Sequence, residues 1–246
     1  MLAGCGGEEA AAPAGTTVAE EQLVAGGALR ACVGSAAPAP YVTGKGEGFD
    51  VGLLRAVADR LALSFETVSV DDPAAGVVHG VCDAGVGKLR VTLAAQRDVS
   101  LLPYLEVGHA LLVRAGSTVD PRRPCGVRIA VVRGAGREAT ADALAARCEL
   151  EAIVVGSGER GAALLRAGSV DAVLDDTPAN RRRARGGLRL ASPDVGHVRY
   201  GIAIPEGRDS LYFGIRGALA LVQEDGRFRR LQDRWGLREA HMITLS

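Results

Sequence analysis

Gly48-Phe49-Asp50-Val51-Gly52-Leu53-Leu54-Arg55-Ala56-Val57-Ala58-Asp59-Arg60-Leu61 reads as an amphipathic helix. Val51, Leu54, Val57, Ala58 and Leu61 recur at helical spacing, and Asp50 stands where an N-cap would accept backbone N–H groups. A strand, Leu29 to Val33, precedes this helix and another, Ser64 to Val70, follows it. Further strands read Ala84 to Val86, Ala110 to Arg114, Arg128 to Val132, Glu151 to Val155, Ala172 to Leu174 and Tyr200 to Ile204. Helical patterns fall between them at Arg137 to Cys148, Gly161 to Ala167 and Thr177 to Arg185. At the C-terminus, Leu211, Ile215, Ala218, Leu219 and Val222 mark one helix, and Phe228, Leu231 and Trp235 a shorter one after Gly226. Such alternation is the pattern of α/β proteins, mainly parallel sheets with helices on both faces.

With 246 residues, 48% of them hydrophobic, the chain suits one large domain or two lobes of about 100 residues each. Two stretches broken by Pro and Gly, Ala115 to Pro124 and Ser192 to Arg199, read as crossings between lobes. A chain that leaves a lobe and returns crosses twice, and two crossings make a hinge. The expected division is a discontinuous first lobe, residues 28–114 plus 200–246, around a second lobe of residues 115–199.

Lys and Arg together number 29, as do Asp and Glu, and no basic stripe is interleaved with aromatic residues, so nucleic acid is not an expected partner. The basic run Arg181-Arg182-Arg183 reads as a solvated helix face. No apolar stretch approaches the roughly 20 residues of a membrane span. The histidines are scattered, adjoin no nucleophile motif and offer no close Cys/His spacing for a metal. Leu2-Ala3-Gly4-Cys5 resembles the bacterial lipobox, with Cys5 as the acylated residue, and a polar Ala-, Gly- and Glu-rich tether follows it up to residue 27. The expectation is a monomer in the periplasm or on the outer face of the cytoplasmic membrane, touching the membrane through a lipid anchor only.

With Cys5 set aside, Cys32, Cys82, Cys125 and Cys148 form an even set. Each lies in or just before a predicted strand, and in a βαβ unit the starts of consecutive parallel strands share an edge. Disulfides 32–82 and 125–148 are geometrically reasonable; buried free thiols are the alternative.

In open α/β sheets ligands bind beyond the carboxyl ends of strands, which here directs attention to Ser35 to Tyr41, Gly87 to Thr92, Arg133 to Arg137 and Asp175 to Asp176. Gly134-Ala135-Gly136 leads into a helix and is either a tight turn or a backbone cradle for a carboxylate.

Eight landmarks stand in an order similar to that of extracellular solute-binding protein family 3, the polar amino-acid receptors of ABC importers. They are Pro40-Tyr41, Gly48 to Val51, Cys82-Asp83-Ala84, Pro103-Tyr104-Leu105, Arg128 to Gly134, Asp171 to Asp176, Tyr200 to Ile204 and the tail from Asp225-Gly226 to Trp235-Gly236. The paired Leu29 to Cys32 and Cys82-Asp83 segments also resemble binding proteins associated with quinoprotein dehydrogenases.

The resemblance implies the two-lobe periplasmic-binding-protein fold of type 2, no cofactor, and a small polar, amino-acid-like ligand handed to an ABC permease. It places Asp176 on the ligand's ammonium, although Asp176 can equally cap the helix beginning at Thr177-Pro178. An arginine should hold the ligand carboxylate. With a local gap this is Arg97, with Thr92 as its hydroxyl neighbour; without the gap Arg90 enters the cleft. Tyr41, Ser35 and Gly136 complete the implied pocket. Ser35 stands where an acidic residue is frequent, Pro38 where an aromatic stacks, and Gly136 where a hydroxyl donates. The rival readings are a dehydratase similar to cyclohexadienyl dehydratase, for which Asp175, Asp176 or Glu138 supplies the acid, and a sensor or maturation partner of a periplasmic dehydrogenase.

Overall fold

The structure is a computed structural model describing residues 17–35, 39–134, 136–191 and 193–244. Cys5 and Pro38 lie outside these residues.

The N-terminal half opens with β1 (Ala28–Gly34), α1 (Phe49–Arg60), β2 (Ser64–Val70), α2 (Pro73–Val78) and β3 (Ala84–Val86). Strand β1 pairs in parallel with both β2 and β3. The helix α1 begins as its periodicity predicts, but Asp50 is not its cap. Gly48 holds the N-cap position at φ 142°, where a side chain would run into the Tyr41 carbonyl. Asp50 points inward instead and is fully buried. Helix α2 was not evident from periodicity, yet it carries a local start signal: the Asp72 carboxylate accepts from the N–H groups of Ala74 and Ala75, with Pro73 next to it.

Next comes β4 (Val99–Arg114), far longer than the expected Ala110 to Arg114 because Pro103-Tyr104-Leu105 is accommodated at an irregularity in its pairing. The C-terminal half contains β5 (Arg128–Val132), α3 (Arg137–Ala145), β6 (Glu151–Val155), α4 (Gly158–Arg166), β7 (Ala172–Asp176), α5 (Thr177–Arg183) and β8 (Leu188–Leu190). The chain returns through β9 (Gly196–Pro205) and closes with α6 (Asp209–Glu224), α7 (Arg227–Trp235) and β10 (His241–Met242). The resulting sheet has the order β2-β1-β3-β9-β4-β7-β5-β6.

Strands β4 and β9 are antiparallel from Val99 opposite Pro205 to His109 opposite Gly196. At about 3.3 Å per residue, β4 is long enough to enter both halves. Its residues Leu102, Tyr104, Leu105 and Val107 pack with α1, α6 and α7, in a core that includes Phe49, Leu54, Ile215 and Phe228. Leu111 and Val113 instead join Ile129, Val131 and Leu174 on one face of the second half, while Leu112 joins Ala130, Val173 and Leu165 on the other. The change of core therefore falls between Val107 and Leu111, ahead of the connection Ala115 to Pro124. The alternation along β5 sends Val131 to one core and Ala130 and Val132 to the other, as a strand buried on both faces requires.

Both expected disulfides are present. Cys32 and Cys82 have Cα atoms 5.5 Å apart, and Cys125 and Cys148 5.2 Å. The first lies in an apolar core with Val77, Leu101 and Ala203; the second joins the residues just ahead of the parallel neighbours β5 and β6.

Candidate functional site

A cleft of about 600 Å³ opens at the carboxyl ends of the parallel strands of both halves. Ala39-Pro40-Tyr41 after β1 and Lys88-Leu89-Arg90 after β3 face Arg133 after β5, the Gly156-Ser157-Gly158 turn after β6, and Asp175-Asp176 at the end of β7. Arg182 and Arg183 of α5 complete the rim.

Asp176 is the centre of the charge network. It is 3% exposed; its Oδ2 accepts from the Lys88 ammonium at 2.7 Å and its Oδ1 from Arg137 Nη1 at 2.7 Å. His109 Nε2 lies 3.8 Å from Oδ1. Burial alone would push the Asp176 carboxyl up, but the Lys88 and Arg137 charges together outweigh it and hold the group below the usual carboxylate range. Although Asp176 occupies the N-cap position of α5, its side chain makes no capping bond there.

Arg137, the first residue of α3, is 5% exposed. Its Nε donates to the Val132 carbonyl and its Nη2 to the Arg133 carbonyl, both at 2.6 Å, so the guanidinium locks the β5–α3 turn while Nη1 serves Asp176 and stands 3.3 Å from Asp175. Burial would lower the Arg137 pKa, but the two aspartates reverse that and raise it. The second aspartate is also engaged: Arg183 Nη1 donates to Asp175 Oδ2 at 2.7 Å, and Arg183 Nε to Glu159 at 2.9 Å.

Lys88 sits at φ 61°, a left-handed conformation that turns the loop after β3 back over the cleft. Its ammonium lies 4.9 Å from the Tyr41 ring centroid and 5.3 Å from that of Tyr200. The hydroxyls of both tyrosines are buried without a hydrogen-bond partner among the described residues. Beneath this loop the Lys88 N–H donates to Asp50 Oδ2 at 3.3 Å, and the Tyr104 hydroxyl donates to Asp50 Oδ1 at 2.6 Å. Burial pushes the Asp50 carboxyl up to about 6 against these bonds.

Of the residues expected from sequence, Asp176, Tyr41 and Arg90 line the cleft. Gly136, at φ 80°, and Thr92 border an adjoining depression shared with Arg90; a Cβ at Gly136 would stand 3.2 Å from Arg90 Nη1. Arg97 is not in the cleft. The chain pairs with β9 around Arg90 to Tyr200, then turns outward through a 3₁₀ turn, Ala95–Arg97, where the Arg97 side chain is exposed. Thr92 accepts from the Ala95 N–H at the start of that turn, at 3.1 Å. The Ser35 hydroxyl donates to Asp71 at 2.7 Å and is not among the cleft's lining residues.

Lys88, Arg133, Arg137 and the α5 arginines were not singled out as site residues, although the first three fall within segments that follow strands. The basic run on α5 is divided rather than uniformly solvated: Arg181 pairs with Glu239 at 3.1 Å on the surface, while Arg182 and Arg183 face the cleft.

Comparison with known proteins agrees with this architecture. The family profile described as bacterial extracellular solute-binding proteins, family 3, matches residues 29–238. The GluR0 ligand-binding core in complex with L-glutamate is similar at 21% identity, with a TM-score of 0.70, over 85% of this chain and 97% of that one. The ancestral amino acid-binding protein AncCDT-1, a precursor of cyclohexadienyl dehydratase, is similar at 21% identity and a TM-score of 0.67, over 85% and 95% of the two chains. Substrate-binding domain 2 of Lactococcus lactis GlnP, in an open conformation, has 16% identity and a TM-score of 0.70 over 85% and 95%. At these identities the likenesses speak for the fold.

Proposed function

The chain belongs to the bacterial extracellular solute-binding proteins, family 3, and from that premise we propose that it is an exported receptor that captures a small polar ligand between two lobes and presents it to an ABC permease. The observation carrying this reading is the cleft itself. Charged side chains from both halves converge on it at the strand ends, and Lys88 already meets Asp176 across it. In this reading the lobes divide within β4 and β9 and not at residues 114 and 200: residues 28–107 with 198–246 form one lobe and residues 111–195 the other, and they hinge where β4 and β9 run together. The two disulfides suit an oxidising, extracytoplasmic compartment. Cys5 is the proposed lipid attachment point, the following tether gives the receptor reach, and the receptor acts as a monomer. An amino-acid-like ligand would have to displace Lys88 from Asp176 to seat its ammonium there.

The test is mass spectrometry of small molecules released on denaturing full-length protein purified without added solute. A stoichiometric compound, depleted in an Arg182→Ala preparation, is expected. Conversion of prephenate by the protein would replace the receptor reading with a dehydratase.

A further inference from the structure

The whole chain is electrically balanced, with 29 basic and 29 acidic residues, but the cleft is not. Six cationic side chains line it, Lys88, Arg90, Arg133, Arg137, Arg182 and Arg183, against two carboxylates, Asp175 and Asp176, which leaves four positive charges in excess. Both carboxylates are buried and already bonded: Asp176 by Lys88 and Arg137, Asp175 by Arg183. Nothing acidic in the lining remains to receive a ligand's cation.

Arg90, Arg133 and Arg182, by contrast, are exposed and form no ion pair among the described residues. They come from three different segments, after β3, after β5 and within α5, so their convergence is a product of the fold and not of one basic run. A guanidinium presents paired N–H donors that match the two oxygens of a carboxylate or phosphate. Concave walls concentrate such a field on whatever enters.

We propose that the ligand is a small organic anion carrying at least two negative charges and no ammonium group, its oxyanions seated on Arg90, Arg133 and Arg182. This rests on the cleft being the ligand site. Lys88 then serves as the protein's own ammonium, neutralising Asp176 so that the anion meets no repelling carboxylate. The shared chemistry is the oxyanion, whether carboxylate or phosphate.

Calorimetric titration of the full-length protein tests this with citrate, succinate, glycerol phosphate and inorganic phosphate beside L-glutamine, L-arginine and L-glutamate. Saturable binding of at least one of the first three is expected, weakening as salt is raised, and binding of inorganic phosphate without any of them would overturn the organic anion. Substituting any one of Arg90, Arg133 or Arg182 with Gln should weaken it about tenfold or more, whereas Arg97→Gln should leave it unchanged. Because the three arginines are exposed, these variants should fold; circular dichroism verifies it. Carboxylate and phosphate probes separate the two sources of oxyanion. Binding of glutamine, arginine or glutamate with none of the ammonium-free anions overturns the proposal while sparing the receptor. Dianion binding indifferent to all three substitutions also overturns it. If no probe binds and purified protein releases no small molecule, the ligand site itself falls, and the proposal with it.

Discussion

The Lys88 ammonium and the Asp176 carboxylate meet at 2.7 Å, joining the loop after β3 to the end of β7 although 88 residues separate them in the chain. The pair is mostly buried, with side chains 11% and 4% exposed. Its charges are only partly screened by water, so each depends on the other.

Asp176→Ala should accordingly be a stability variant as well as a site variant. It strands Lys88 and Arg137 without their carboxylate, at a cost of about 3–5 kcal/mol, well above the roughly 1 kcal/mol of a lost helix cap. A Lys88→Met and Asp176→Asn double-mutant cycle, read by urea denaturation, should give a coupling above about 1 kcal/mol. Additive effects would mean that the pair is no more than a surface contact.

Asp50 predicts a pH dependence. Burial raises its carboxyl to about 6, above the unfolded value, so its contribution is fully present below about pH 4 and is lost as pH rises through about 6. The loss is on the order of 2–3 kcal/mol. Asp50→Asn keeps an oxygen for the Tyr104 hydroxyl but cannot ionise, and its stability relative to the wild type should rise across that window. Parallel stability curves for the two proteins from pH 4 to 7 would contradict the assignment.

The two disulfides should differ in worth. Their sequence separations are 50 and 23 residues, for which chain-entropy arguments give about 4 and about 3 kcal/mol. Replacing Cys32 and Cys82 together by Ala should therefore lower the denaturation midpoint more than replacing Cys125 and Cys148, the more so because the first bridge also fills an apolar core. Equal or reversed losses would show that loop length does not govern them.

Much of the fold was legible because its signals are local. The apolar spacing of α1, the short β-type runs and the cysteines placed in or just before strands all act within a few residues, and all reappear in the structure. The long β4 was read as a short strand because Pro103 interrupts the pattern, and only pairing with β9 reveals how it is accommodated. Asp50 is a similar case: next to Gly48-Phe49, local chemistry favours a cap, and the alternative comes from the Lys88 N–H and the Tyr104 hydroxyl, 38 and 54 residues away.

The sequence by itself determined the α/β class and the family order of segments, because strand ends and their spacing are written along the chain; it offered the disulfide pairing against free thiols, and Asp176 as a site residue against a helix cap, without deciding either. Which cations accompany Asp176 was decided only in three dimensions. Arg97 and Arg90 lie seven positions apart and look interchangeable in one dimension; the pairing of Arg90 with Tyr200 turns the chain outward before Arg97 and leaves Arg90 facing the cleft. Lys88, Arg137 and Arg183 acquire their roles from carboxylates on β7, which lies between 39 and 88 residues away from the first two and 8 from the last. Charge compensation acts through space over a few ångströms, and no pattern along the chain encodes it.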